Sequence, residues 1–147
     1  MKVGIVGSEA IKFTPATEAK ARAVIRELLV QPGVTHVVSG GCHLGGIDIW
    51  AEEEAEALWL DAIVHKPKSL TWKHYAARNL AIARDSDEVH CITIARLPAT
   101  YKGMTFPLCY HCGVKSHVKS GGCWTMMKAR KMNKLGKLWV IDDSDPT

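Results

Sequence analysis

Ser39-Gly40-Gly41-Cys42-His43-Leu44-Gly45-Gly46-Ile47-Asp48 lies between two differently patterned stretches, and its reading decides the fold. Before it, Val34, Val37 and Val38 form a short β-branched run. After it, Ile49, Trp50, Ala51, Ala55, Ala57 and Leu58 recur at helical spacing. The pattern predicts a strand, a glycine turn and a helix that begins near Ile47. Gly40, Gly41, Gly45 and Gly46 open backbone conformations closed to other residues and let main-chain N–H groups approach a ligand with no Cβ in between. With the positive end of a helix dipole behind it, such a turn suits a phosphate or a ribose-phosphate edge. The alternative is a tight connection with no ligand, and glycines alone do not separate the two.

Outward from this turn, the chain alternates. Lys2 to Val6 reads as a buried strand that runs into a second glycine turn, Gly7-Ser8. Thr14-Pro15 is a helix start, and Ala19, Ala23, Val24, Leu28 and Leu29 give an apolar stripe up to the break at Gln31-Pro32-Gly33. Glu52, Glu53, Glu54 and Glu56 are expected on the solvated face of the helix after Asp48. Asp61 to His65 reads as a third strand, followed by a helix from Thr71 or Trp72 to about Arg84 with Tyr75, Ala76, Leu80 and Ala83 inward. Val89 to Ile94 and Leu138 to Ile141 are the fourth and fifth strands. Between them runs a helix from about Gly122 to Asn133, closed by Gly136, with Lys134 and Lys137 near its negative end. Alternating strands and helices with near-continuous apolar strands predict an α/β fold with a mainly parallel sheet covered on both faces. In such sheets ligands bind beyond the carboxyl ends of the strands, where strand order reverses. The turns at Gly7, Ser39 to Asp48 and Gly121-Gly122 are therefore expected at one rim.

The 147 residues suit one domain, taken as residues 1–143, with a frayed tail at 144–147 and a loop insertion at about 97–123. A hydrophobic share of 47% with 23% charged residues is that of a soluble globular chain. No segment is long and apolar enough for a membrane span, and the strand pattern begins at once with no signal-peptide architecture, so a cytoplasmic location is expected. The net charge of +4 is unevenly spread. No acidic residue falls between Glu88 and Asp142, where Arg96, Lys102, Lys115, Lys119, Lys128, Arg130, Lys131, Lys134 and Lys137 lie. This basic third either attracts nucleic acid or a phosphorylated small molecule, or is simply a solvated lysine face.

Five cysteines without a secretory signal argue for a metal or free thiols over a disulfide framework. Cys109 and Cys112 are separated by two residues, His117 follows after four more, and Cys123 after a further five. Thiolate and imidazole donors at this spacing predict a structural zinc ion, Zn2+, with no open position for water. His111 is the competing imidazole; it lies between two ligands, where the loop would strain to aim it at the same ion. The run resembles a retroviral-type zinc knuckle, including Tyr110 after the first cysteine, but is longer by one residue before the last cysteine.

Taken in order, Val-Gly-Ile-Val-Gly-Ser at 3–8, Val-Ser-Gly-Gly with Gly-Ile-Asp at 38–48, Arg78-Asn79, and Ser-Gly-Gly-Cys-Trp-Thr at 120–125 before Gly-Lys-Leu-Trp-Val-Ile resemble the SLOG superfamily. That group includes the lonely-guy proteins and the core of DNA-processing protein A. The resemblance covers nearly the whole chain apart from the knuckle. It implies a Rossmann-like three-layer fold with a five-stranded sheet, a nucleotide or nucleotide-derived ligand, and a homo-oligomer. Carried over by position, Gly7, Ser8, Ser39, Gly40, Gly41, Gly45, Gly46, Asp48, Arg78, Asn79, Gly121, Gly122, Trp124 and Thr125 would line the pocket. Asp48 either accepts hydrogen bonds from a ribose or caps its helix. Arg78 either pairs with phosphate or forms an ordinary surface salt bridge, and Trp124 either stacks on a base or fills the core. Lonely-guy enzymes that cleave N-glycosidic bonds carry a glutamate where this chain has Lys128, and a lysine does not stabilise cationic sugar character. The sequence thus favours a nucleotide-binding sensor or ligand-processing module. N-glycosidase chemistry and nucleic-acid binding, with Tyr110 and Trp124 as stacking surfaces, are the alternatives.

Overall fold

A computed structural model describes residues 1–113 and 117–142. Lys115, one of the basic residues noted above, and the expected tail at 144–147 lie outside the described residues. The elements follow the alternation of the sequence: β1 (Lys2–Gly7), α1 (Pro15–Leu29), β2 (His36–Ser39), α2 (Ile47–Ala57), β3 (Asp61–Val64), α3 (Trp72–Asp85), β4 (Glu88–Ile94), α4 (Gly121–Lys131) and β5 (Leu138–Ile141). A short 3-10 turn, Ala10–Lys12, follows β1. The five strands form one parallel sheet in the order β3-β2-β1-β4-β5. Among the described residues no helix is long and apolar enough to cross a membrane.

Side chains alternate across each strand, so successive residues of β1 and β4 feed two different cores. Val3, Ile5, Ile92 and Ile94 pack with Ile25 and Leu28 of α1 and Ile47 and Ala51 of α2 on one face. Val6, Val89 and Cys91 pack with Ile82 and Ala83 of α3 and Met126 and Ala129 of α4 on the other. The result is the three-layer α/β arrangement expected from the sequence. Thr14 starts α1 through reciprocal bonds: Thr17 N donates to its Oγ1 at 3.2 Å, and its own N donates to Thr17 Oγ1 at 2.8 Å.

Three local expectations need correction. Glu54 is not solvated: only 9% exposed, it takes the guanidinium of Arg26, with Arg22 3.8 Å away, and so ties α2 to α1. Glu52 is also engaged, accepting from Ser39 Oγ at 2.8 Å. On α3 the fully inward residues are Asn79, Ile82 and Ala83, while Tyr75, Ala76 and Leu80 are half-buried. At the end of α4 the left-handed residue is Asn133 (φ 62°), not Gly136, and Lys134 N reaches back to Ala129 O at 3.0 Å. Lys134 serves a different helix: its Nζ donates to Ala83 O and Arg84 O, both at 2.6 Å, at the negative end of α3.

Gly136 has another reason to be glycine. Its φ of 140° disfavours a side chain, and a Cβ there would collide with the Val89 carbonyl. Gly33 also has a positive φ, 86°, but nothing lies within 4 Å of its Cβ position. Gly136→Ala is therefore expected to lower the unfolding free energy by about 2–4 kcal/mol. Gly33→Ala should cost about 1 kcal/mol, the conformational term alone. Urea denaturation of both variants against the parent checks the order.

Candidate functional site

The strand order reverses at the β1–β4 pair, since β1 leads outward to β2 while β4 lies on its other side. At that point, beyond the carboxyl ends of the strands, a cavity of about 460 Å³ opens. Gly7 and Ser8 at the end of β1, Asp48 of α2, Arg78 and Asn79 of α3, and Gly121, Gly122 and Thr125 of α4 all line it. Ser8 Oγ is held by Thr93 Oγ1 at 2.8 Å. Trp72, Tyr75, Tyr110, His111, Lys12, Lys119 and Glu9 also line it. In the sequence Tyr110 stood out as a nucleic-acid contact, His111 as a competing metal ligand, Lys119 as part of the basic third and Tyr75 as an inward helix residue, but Lys12 and Trp72 carried no functional signal of their own. Lys12 follows Gly7-Ser8 by a few residues and Lys119 precedes Gly121, so proximity to the glycine turns was the available signal.

The β2–α2 turn satisfies itself. Gly41 N donates to Ser39 Oγ at 3.2 Å, Gly45 N to Cys42 O at 3.0 Å, and Cys42 N to Asp48 Oδ2 at 3.2 Å. Asp48 thereby supplies the negative charge that the glycine turn invites from a ligand. It does not cap its helix, because Gly46 occupies the cap position and Ile47 N donates to Ser8 O at 3.1 Å. Ser39, Gly40, Gly41, Gly45 and Gly46 thus stand behind the cavity wall, where they shape the turn.

Arg78 holds that turn from the other side. Its Nη1 donates to Gly40 O at 2.6 Å, its Nε to Asn79 Oδ1 at 2.7 Å, and its guanidinium sits 5.3 Å from the centre of the Tyr75 ring. A Cβ on Gly40 would meet both the Arg78 guanidinium and the Asp48 carboxylate. Burial pushes the Asp48 carboxyl up to about 6, against the pull of Arg78 and of the Cys42 N–H. Lys12 Nζ donates to Lys119 O at 3.2 Å. Burial lowers the Lys12 pKa, Glu9 pulls it back up and Lys119 pushes it down again. Among the described residues neither lysine is ion-paired, and with Arg78 they set three cations against the Glu9 and Asp48 carboxylates in the same cavity.

Much of the basic third is engaged elsewhere. Lys128 sits over Trp124 at 5.1 Å, Lys137 over Trp139 at 3.7 Å, and Arg96 pairs with Asp142 at 2.8 Å. Trp124 does not line the cavity; it packs edge-on against Trp72 at 5.3 Å between centroids.

The ligating atoms of Cys109, Cys112, His117 and Cys123 all lie within 4.8 Å of one another. Cys112 Sγ is 3.2 Å and Cys123 Sγ 3.8 Å from His117 Nε2. Donors at tetrahedral bonding distance from one ion stand roughly 3.5–3.8 Å apart, so the cluster is close to the size of a metal cage. His117 Nδ1 lies 2.6 Å from the Val118 carbonyl, which can only accept. The proton is therefore on Nδ1, and the Nε2 lone pair faces the sulfurs, as metal ligation requires. His111 is outside the cluster, its ring stacked toward Trp72. These four residues could hold a metal ion.

The chain matches no protein-family model and no curated protein. Among solved structures it is similar to DNA processing protein A from Streptococcus pneumoniae, with 16% identity and a TM-score of 0.58. The match covers 93% of this chain and 49% of that one, so this chain spans about half the length of its structural neighbour. The Rossmann-like fold implied by the SLOG resemblance is the fold of this chain.

The unfolded Asp48 carboxyl loses its proton near 4 and the folded one near 6. Between those values the unfolded state ionises first, so the native state loses stability as pH rises and levels off above about 6. Asp48→Asn removes this dependence. The stability of the parent relative to Asp48→Asn is expected to fall by on the order of 1–3 kcal/mol between pH 4 and pH 7, as read by urea denaturation at each pH. No change in that difference across the range would contradict the buried-carboxyl assignment.

Proposed function

We propose that the cavity binds a nucleotide or nucleotide-derived ligand and that the Cys/His cluster holds a structural zinc ion beside it. The observation that carries the reading is the gathering of Lys12, Lys119 and Arg78, three cations against the carboxylates of Glu9 and Asp48, in one cavity at the strand switch point. Excess positive charge there suits phosphate. Asp48 and Asn79 offer acceptors for ribose hydroxyls, and the aromatic side chains nearby suit a base. Three thiolates and one imidazole, with no harder donor among them, favour zinc over other common cations. Four protein ligands leave the ion no open position, so its role is to fix the loop.

Isothermal titration of the zinc-loaded protein with AMP at low salt tests the ligand. Saturable binding is expected. Lys12→Ala and Arg78→Ala should each weaken it about tenfold or more, the worth of a charge-assisted hydrogen bond. No binding up to millimolar AMP would contradict the reading. Metal analysis of protein purified without added metal should give one zinc per chain, lost in Cys112→Ser; less than about half an equivalent would count against the zinc site.

Two other readings remain distinguishable. The buried Asp48 carboxyl beside Arg78 favours an N-glycosidase as the runner-up, and release of free adenine from AMP would establish it. The name of the structural neighbour, a DNA processing protein, and the basic third favour nucleic acid. A single-stranded oligonucleotide that binds with steep inverse salt dependence, and more tightly than AMP, would support that reading instead.

A further inference from the structure

Two near-parallel aromatic rings line the cavity from independent parts of the chain. Trp72 is the first residue of α3, and His111 lies on the loop between Cys109 and Cys112. Both line the cavity. Their planes are within 22° of parallel, and their centroids are 6.4 Å apart. A planar group stacked between two rings needs roughly 7 Å, twice an ordinary carbon contact of about 3.5 Å. The centroid distance is an upper bound on the gap between the planes, so a flat guest enters only when the loop that carries His111 moves outward.

Each ring makes a further aromatic contact. Trp124 meets Trp72 edge-on at 5.3 Å, and Tyr110 packs on His111 at 4.4 Å. Trp72 is 55% exposed, a large apolar surface beside the charged part of the cavity. Cys109 and Cys112 of the Cys/His cluster flank the two-residue span, Tyr110 and His111, on this side.

We infer that Trp72 and His111 form a clamp for a planar heteroaromatic base, and that the metal ion positions its His111 jaw, so that metal and base-bearing ligand reinforce each other's binding. The inference rests on the nucleotide reading above and names how the base is selected. A sugar phosphate without a base meets only the charged part of the cavity. A nucleotide meets both parts, and its affinity depends on the metal-held loop. By linkage the dependence is mutual: if the metal tightens nucleotide binding, the nucleotide tightens metal retention by the same factor.

The test compares AMP with ribose 5-phosphate by isothermal titration on the full chain, and follows zinc loss to a chelating indicator. For the parent, AMP is expected to bind at least tenfold more tightly than ribose 5-phosphate. Trp72→Ala and His111→Ala should each weaken AMP by about five- to a hundredfold, the range for one base–aromatic contact, while ribose 5-phosphate changes less than twofold. Trp72→Phe should retain most of the AMP affinity. Both alanine variants should keep one zinc per chain, since neither residue belongs to the cluster. Saturating AMP should slow zinc transfer to the indicator in the parent and not in Trp72→Ala.

Equal affinity of AMP and ribose 5-phosphate in the parent would overturn the clamp while leaving a phosphate site standing. Loss of zinc in His111→Ala would overturn it by making His111 a ligand. Failure of both compounds to bind would overturn the clamp and the nucleotide reading together.

Discussion

The start of α4 is pressed against the end of β1, and the rest of the site follows from that contact. A Cβ on Gly122 would lie 2.8 Å from Gly7 N and 2.9 Å from Cys91 Sγ, and one on Gly7 would collide with the Ile92 carbonyl. A glycine at 122 allows the helix terminus to approach the strand switch point so closely, while Gly7 is required by the seam with β4 and Ile47. Cys123 is the next residue, so the backbone that closes one wall of the cavity also delivers a sulfur to the metal cluster. Cavity and cluster are therefore parts of one structure, joined through consecutive residues.

Charge is arranged around that contact in an unexpected way. Glycine turns at helix N-termini ordinarily offer their amides to an outside anion, yet here the β2–α2 turn hands them to Ser39, Cys42 and Asp48. With the turn's own demand met by a buried carboxyl, positive charge in the cavity comes from Arg78, Lys12 and Lys119. Flexible cations supply charge without the fixed geometry of an amide cradle, and on the proposed reading selection rests on sign and on flat aromatic shape.

The sheet was legible because its signals are local. Thr14-Pro15 announces α1, near-continuous apolar runs announce the strands, and the spacing of Cys109, Cys112, His117 and Cys123 assembles the same four side chains that meet in space. Residues whose partners are distant in sequence were harder to read. Glu54 looks solvated until α1 brings Arg22 and Arg26 to it, and Lys134 looks like a cap for α4 until α3 arrives beneath it. The cavity shows the same limit. Glycines mark its backbone, but Trp72, Lys12 and His111 enter it from a helix start, a 3-10 turn and the metal loop, which only the fold brings together.

The most direct measurement is a crystal structure of the zinc-loaded protein grown with AMP, with anomalous data collected across the zinc edge. The account predicts one anomalous peak bonded to Cys109, Cys112, His117 and Cys123, the phosphate among Lys12, Lys119 and Arg78, and the adenine between Trp72 and His111. An empty cluster, or AMP bound away from this cavity, would contradict it.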